Sequence, residues 1–375
     1  MPDHPIAIPA ELLPADGRFG SGPSLVRTEA VHQLAAAADV LLGTSHRAAP
    51  IRSVVADIRE RVSRLYDLPD GYEVVLGVGG ATAFWDAAVF QLIEHRSQHL
   101  VFGEFSAKFA AVAAGAPHLG APHIVERPPG DAPEPDPDAD VDTFALIHNE
   151  TSTGVTTEIR RPDRPGALVL VDATSAAGAV PVDPGEFDAY YWSPQKAFGS
   201  EGGLWVAIVS PSALDRIATL AGERWTPPFL DLARAVAESR INQTYNTPAL
   251  ATLWLLSSQL EWIEDQGGLE WAVARSAGSA ALVYEWAAAS PVAAPFVRRP
   301  ELRSATTVTI DLDQGISADR LTAILSNNGV RDVGGYRKLG RNQVRIATFP
   351  AIEPDDIRRL LACIDFVIER LAEPA

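Results

Sequence analysis

Tyr190-Tyr191-Trp192-Ser193-Pro194-Gln195-Lys196-Ala197-Phe198-Gly199-Ser200-Glu201-Gly202-Gly203 is the stretch on which the reading of this chain turns. An apolar strand runs into a turn that carries one lysine and then a glycine-rich segment. A second apolar strand, Leu204 to Val209, lies behind it. By itself such a lysine is a solvated loop residue. Its neighbours argue otherwise: Gly199, Gly202 and Gly203 permit close backbone approach to a ligand, and Gln195 offers a neutral polar contact for a phosphate. If the surroundings are buried, the amine loses proton affinity and can attack a carbonyl at neutral pH.

Working outward, short β-branched runs alternate with helical patterns from Tyr72 to Val209. Strands are expected at Tyr72 to Val78, His99 to Phe102, Thr143 to His148, Ala167 to Asp172, Ala189 to Trp192 and Leu204 to Val209. Helices are expected at Ala81 to His95 and Phe105 to Ala114. Near-continuous apolar strands separated by helices predict an α/β fold with a buried, mostly parallel sheet covered on both faces. Pro128 to Asp142, rich in proline and aspartate, reads as an exposed connection.

Beyond Asn246-Thr247-Pro248 a long helix is expected to run to about Glu264, ahead of Gly267-Gly268. Then follow a helix (Leu269 to Ala289), a strand (Thr306 to Leu312), a helix (Ala318 to Asn327), a strand near Val344 to Ala347 and a last helix. Pro354 starts that helix, and Ile357, Leu360, Leu361, Ile364, Val367, Ile368 and Leu371 form one apolar stripe. Two domains are therefore expected. A large one covers 17–266, and a smaller C-terminal α+β unit covers 267–375 together with 1–16.

With 375 residues and a formal charge of −17, the chain is too long for one core and lacks the basic face that nucleic acid or an anionic membrane requires. The one cysteine, Cys363, falls in the last helical segment, so no disulfide framework is expected. Met1-Pro2-Asp3-His4-Pro5 has no basic segment leading into an apolar one, and a cytoplasmic protein without a leader is expected.

Two further motifs bear on chemistry. Ala167-Leu168-Val169-Leu170-Val171-Asp172 ends a strand in a carboxylate at the edge where open α/β sheets bind ligands. An N-cap role for Asp172 is the competing reading. Gly77-Val78-Gly79-Gly80-Ala81-Thr82 joins a strand to a helix whose first amides could bind a phosphate. It is neither a dinucleotide fingerprint nor a Walker loop.

Taken in order, the Gly-Gly turn, Asn149-Glu150-Thr151, Val171-Asp172, Gln195-Lys196 and Asn246-Thr247-Pro248 resemble the phosphoserine aminotransferase family, of the fold-type I, class V aminotransferases that use pyridoxal 5'-phosphate. The resemblance covers essentially the whole chain. It implies a large domain with a mostly parallel seven-stranded sheet and the smaller C-terminal unit. Lys196 then resembles the Schiff-base lysine and Asp172 the partner of the pyridine nitrogen. Thr151 matches the hydroxyl on the ring oxygen and Gln195 a phosphate ligand, while Gly80, Ala81 and Thr82 match the backbone phosphate cradle. Asn246 and Thr247 match residues that reach the phosphate from a second subunit, which implies a homodimer with shared sites.

For the substrate, Phe19-Gly20-Ser21-Gly22-Pro23 resembles the family's N-terminal element, placing Ser21 at the site. Thr44-Ser45-His46-Arg47 resembles the element that contacts the substrate phosphate across the interface. Gly334-Gly335-Tyr336-Arg337-Lys338 with Arg345 resembles the C-terminal substrate element. Arg345 is the expected partner of the α-carboxylate, with His46, Arg47 and Arg337 on the distal phosphate or the glutamate side chain. An arginine fork suits either anion. The chain departs from the family in two places. Gly103-Glu104-Phe105-Ser106 stands where many members have a stacking tryptophan, with Phe105 or Ser106 at the matching register. Tyr336-Arg337 stands where many have histidine-arginine.

The implied reaction moves the amino group of L-glutamate to 3-phosphohydroxypyruvate, a step of serine biosynthesis. The phosphorylated threonine analogue of pyridoxine synthesis is a second candidate substrate. The competing expectation is another class V activity such as alanine–glyoxylate transamination. A cysteine desulfurase is disfavoured because its thiol must sit on a mobile loop. No metal site is expected.

Overall fold

The computed structural model describes residues 6–372; the N-terminal pentapeptide read above for a leader lies outside them. Helices α1 (Thr28–Leu41) and α2 (Ala49–Leu65) precede β1 (Glu73–Val78), α3 (Ala81–Gln91), β2 (Ser97–Val101), α4 (Glu104–Gly115), β3 (His123–Glu126) and β4 (Thr143–Ile147). A small hairpin, β5 (Asn149–Glu150) with β6 (Val155–Thr156), leads to β7 (Leu168–Asp172), β8 (Ala189–Trp192) and β9 (Leu204–Val209). Then come α5 (Pro211–Glu223), α6 (Leu232–Arg240), α7 (Leu250–Gln266) and α8 (Gly268–Ala289). The last elements are β10 (Ala293–Pro295), β11 (Thr307–Leu312), α9 (Ala318–Asn327), β12 (Gln343–Ala347) and α10 (Pro354–Ala372).

The large sheet has seven strands in the order β1-β9-β8-β7-β4-β2-β3. Only β9 runs against its neighbours. Its strands read as unbroken apolar runs because alternate side chains feed two cores. Val169, Val171, Tyr190, Trp192, Val206 and Ile208 join α2 and α7 on one face. Leu168, Leu170, Ala189, Tyr191, Trp205 and Ala207 join α3, α5 and α6 on the other. With a side-chain period of two, a shift of one residue would exchange these sets, so burial on both faces pins the register.

A third core lies under the antiparallel sheet β10-β11-β12 and includes Val308, Ile310, Val344 and Ile346 with α9 and α10. The stripe of α10 is buried there at Ile357, Leu360, Leu361, Ile364 and Val367, as its periodicity predicts. Helix α8 bridges the cores: Ala272 belongs to the first, whereas Ala280, Val283 and Ala287 belong to the third. The N-terminal segment joins the third core through Ile8 and Phe19.

One expectation needs correction. Helix α3 ends at Gln91 rather than at His95. The amides of Glu94, His95 and Arg96 turn instead to the Asp142 carboxylate, at 2.9, 2.7 and 2.7 Å, and a fixed anion outcompetes a last helical turn. Strands β3 and β10 were not anticipated. Both are short, and β3 is an edge strand with alternate exposure, so neither carries a strong apolar signal.

Candidate active site

Strands β1, β4, β7 and β8 end at one edge of the large sheet, and a cavity of about 340 Å³ opens there, within the range of small-molecule sites. Lys196 lies four residues past the end of β8 and is 7% exposed. Gly22, at φ +132°, passes directly over it; a Cβ there would come within 2.7 Å of Lys196 Cε, so only glycine lets the N-terminal segment cover the lysine. Burial lowers the Lys196 amine to about 7, and the Arg345 charge adds to the effect. Among the described residues it makes one hydrogen bond, to Thr151 Oγ1 at 2.8 Å. That hydroxyl donates onward to Ser175 Oγ at 2.8 Å, and Ser175 is held by both the side chain and the carbonyl of Asn149.

Across the cavity stands Asp172, 5% exposed. Burial raises its proton affinity, and two N–H donors oppose that: Thr174 N to Oδ1 and Trp85 Nε1 to Oδ2, each at 2.9 Å. The N-cap reading of Asp172 is incomplete, since one oxygen does bind the amide two residues on while the other faces a tryptophan.

Between these poles lies an anion cradle. Gly79 and Gly80 adopt φ of +114° and +79°, which aims the first amides of α3 into the cavity. Ala81 N donates to Ser193 Oγ at 2.7 Å, and Ser193 Oγ donates to the Leu204 carbonyl at 2.9 Å. Thr82 N–H, in the first turn, has no intrahelical acceptor. Gln195 Oε1 is buried without a partner, as is Asn149 Oδ1. Buried polar atoms on a cavity wall without partners are suited to a polar ligand.

The register of the aromatic wall is settled by Glu150, which is fully buried. Its carboxylate accepts from the amides of Phe105 and Ser106 at 3.1 and 2.9 Å and from Ser106 Oγ at 3.0 Å, capping α4. Ser106 thus points away from the cavity, and Phe105 lines it, with Lys196 Nζ 5.7 Å from the ring centroid. Above Phe105 sits Tyr336, at 6.2 Å between centroids, held in turn near Arg345. Arg345 donates through Nη1 to the Thr151 carbonyl at 3.1 Å, and its Nε is buried without an acceptor.

Not every candidate converges. Ser21 is buried with an unpartnered hydroxyl, one residue behind Gly22. His46, Arg47, Asn246 and Thr247 lie outside the cavity of their own chain. His46 and Thr247 bond each other at 3.1 Å, and Arg47 and Asn246 are exposed. Arg337 is exposed in a short 3-10 turn, next to a different depression. Several wall residues were given no role in the site by the sequence reading, among them Trp85, Thr174, Ser175 and Ser193. Ser193 could have been found, because it directly follows the strand that precedes Lys196. Trp85 could not, since it sits within an apolar helix like any core residue.

The arrangement suits a flat ring bearing an anionic group, a basic ring nitrogen and a carbonyl. The model of the family aminotransferase class-V matches residues 22–336. A putative phosphoserine aminotransferase of Mycolicibacterium vanbaalenii is 54% identical over 368 residues, 98% of this chain and 99% of that one. A phosphoserine aminotransferase of Rhodococcus jostii is 52% identical over 373 residues, 99% of this chain and 100% of that one. Among solved structures, a phosphoserine aminotransferase from Cytophaga hutchinsonii superposes with a TM-score of 0.86 at 25% identity, covering 94% of this chain and 99% of that one.

Proposed function

The chain belongs to the class-V aminotransferase family, and on that footing we propose that it transfers the amino group of L-glutamate to 3-phosphohydroxypyruvate, giving O-phospho-L-serine and 2-oxoglutarate. Pyridoxal 5'-phosphate is the cofactor. The observation that carries this reading is a buried lysine of near-neutral proton affinity facing a buried aspartate, with an anion cradle between them.

The residues fit the cofactor by chemistry. The amides of Gly80, Ala81 and Thr82, with Ser193 and Gln195, suit its phosphate. Asp172 suits its ring nitrogen, Thr151 its ring hydroxyl, Phe105 its face and Lys196 its aldehyde. When bound, pyridoxal phosphate supplies an electron sink for charge developed on the substrate's α-carbon. Lys196 Nζ, once free, would take the α-proton of the amino acid and give it up to the former aldehyde carbon of the cofactor; an amine that titrates near 7 can do both. Asp172 keeps an anion beside the ring nitrogen. Arg345 orients the α-carboxylate through the edge of its guanidinium that lacks a partner. Replacing Arg345 by lysine is expected to raise KM for both glutamate and the keto acid by about 10- to 100-fold, the cost of a charge-assisted fork. Steady-state kinetics with each substrate varied in turn measures it.

We further propose a homodimer with shared sites. Trp225 is 78% exposed, with Phe229, Ile241 and Tyr245 exposed nearby in sequence. Phe229 approaches the Gly79 turn to within 3.4 Å of a built Cβ, so this apolar surface adjoins the cradle. In the proposed dimer a twofold-related copy covers this surface and brings its own 44–47 and 246–247 segments to the cavity mouth. Lys196→Ala and Arg47→Ala proteins, each impaired alone, are then expected to regain activity on mixing and refolding together. A failure to regain it, with dimers formed, would count against sharing.

Substrate identity is tested by adding glutamate to the loaded enzyme, following the cofactor spectrum, and then offering phosphohydroxypyruvate or glyoxylate. Recovery of the starting spectrum with the phosphorylated acid, and poor recovery with glyoxylate, is the expected outcome. A preference for glyoxylate would overturn the assignment.

A further inference from the structure

Helix α3 does two things for the cavity. Its N-terminus forms the anion cradle, and one turn later Trp85, 3% exposed, sends its indole N–H to Asp172 Oδ2 at 2.9 Å. The strand alternation that puts Leu168 and Leu170 on the α3 face carries Asp172 there too, so this contact follows from the pleat. The indole packs against Phe109, stacked at 5.8 Å and 12°, and Phe109 meets His99 edge-on at 4.9 Å.

The chemistry of the donor matters. An indole N–H can only donate and has no second state to adopt. It bonds an oxygen that offers a lone pair; a proton on Oδ2 would face it hydrogen to hydrogen. Thr174 N–H restrains Oδ1 in the same way. Together the two donors oppose the tendency of burial to neutralise Asp172 and fix the carboxylate plane. The other titratable groups close to Asp172 are Lys196, Tyr190 and Tyr191; burial keeps both tyrosines neutral.

We propose that Trp85 is a positioning residue that holds Asp172 ionised and oriented toward the cofactor's ring nitrogen, so that the indole N–H helps to keep the proton on that nitrogen. The inference rests on the pyridoxal phosphate reading. Without the indole N–H, burial is opposed by Thr174 and the Lys196 charge alone, and the shared proton moves from the ring toward the aspartate.

The test uses full-length Trp85→Phe, which keeps a ring and loses the donor, beside Phe109→Leu, which loosens the stack and keeps it. For Trp85→Phe we expect kcat to fall about 10- to 100-fold with KM for glutamate within about threefold, as for one lost charge-assisted hydrogen bond. Its cofactor absorbance should titrate at a different pH from wild type, and apo-protein should bind pyridoxal phosphate several-fold more weakly. Phe109→Leu should keep the wild-type titration. An unchanged titration in Trp85→Phe, or the same displacement in Phe109→Leu, overturns the proposal. A folding failure is covered by the wild type: in tryptophan-15N apo-protein, at least one indole N–H resonance must move when pyridoxal phosphate is added, and a spectrum in which none moves also overturns it. If wild-type protein takes up no pyridoxal phosphate, the cofactor reading itself fails, which is a separate outcome.

Discussion

Lys196→Ala protein is expected to lose turnover by about 10⁴-fold or more, and to lose the visible absorption of lysine-linked pyridoxal phosphate, while remaining folded. The size of the effect follows from what the amine does. It anchors the cofactor and carries the proton, and among the described residues no second amine lines the cavity to take over either task. Folding should survive because the side chain makes one hydrogen bond, to Thr151. Stability should in fact depend on pH in a defined direction. Burial lowers Lys196 from 10.5 to about 7, so between those values the unfolded chain binds a proton that the folded chain does not. Stability of the apo-protein from this group therefore rises as pH climbs from about 7 toward 10.5, and the full cost is present below 7. Thermal melts of apo wild type and apo Lys196→Met across that range should converge as pH rises, with the methionine variant more stable at neutral pH. The rate at which apo-protein captures pyridoxal phosphate should also rise through about 7, because only the unprotonated amine attacks. A flat rate profile over that interval would show that the lysine is not desolvated as described.

Asp172→Asn should lower kcat by about 10²- to 10⁴-fold, the equivalent of the roughly 3–5 kcal/mol lost when one partner of a buried charge pair is removed. The substitution preserves shape but leaves one acceptor for two donors, since Trp85 Nε1 and Thr174 N each need an oxygen. One donor is then unsatisfied or meets the amide N–H₂ directly, which adds about 1–3 kcal/mol of strain on the site. The effect should fall on kcat more than on KM for glutamate, because the ring-nitrogen anion acts on charge that develops during reaction. Single-turnover spectroscopy with glutamate separates the two. An Asp172→Asn enzyme within about tenfold of wild type would remove this carboxylate from the proposed mechanism.

Much of the architecture was written in local pattern. Two-sided burial leaves strands that are apolar throughout, and the α10 stripe is a one-sided 3.6-residue repeat, so both were legible from residue order. The C-terminal end of α3 was not, because what ends it is the Asp142 carboxylate, about fifty positions away in the chain. Within the site, Lys196, Asp172 and the Gly79-Gly80 turn could be named from the residues themselves, and Thr151 through the family resemblance. The first three sit at a strand end or a glycine turn, where a chemical group in an apolar context stands out.

The amino-acid order by itself determined the alternation of strands and helices, the lysine in its glycine-rich turn and the carboxylate that ends β7. Tertiary structure alone decided which of those groups meet. It put Phe105 rather than Ser106 on the cavity, because buried Glu150 claims the Ser106 amide and hydroxyl. It turned Trp85 from a core side chain into the partner of Asp172, by crossing α3 over the end of β7. It left His46, Arg47, Asn246 and Thr247 outside their own chain's cavity. A hydrogen bond depends on ångström-scale approach and direction, and residues far apart in sequence acquire these only when two packed faces fix them.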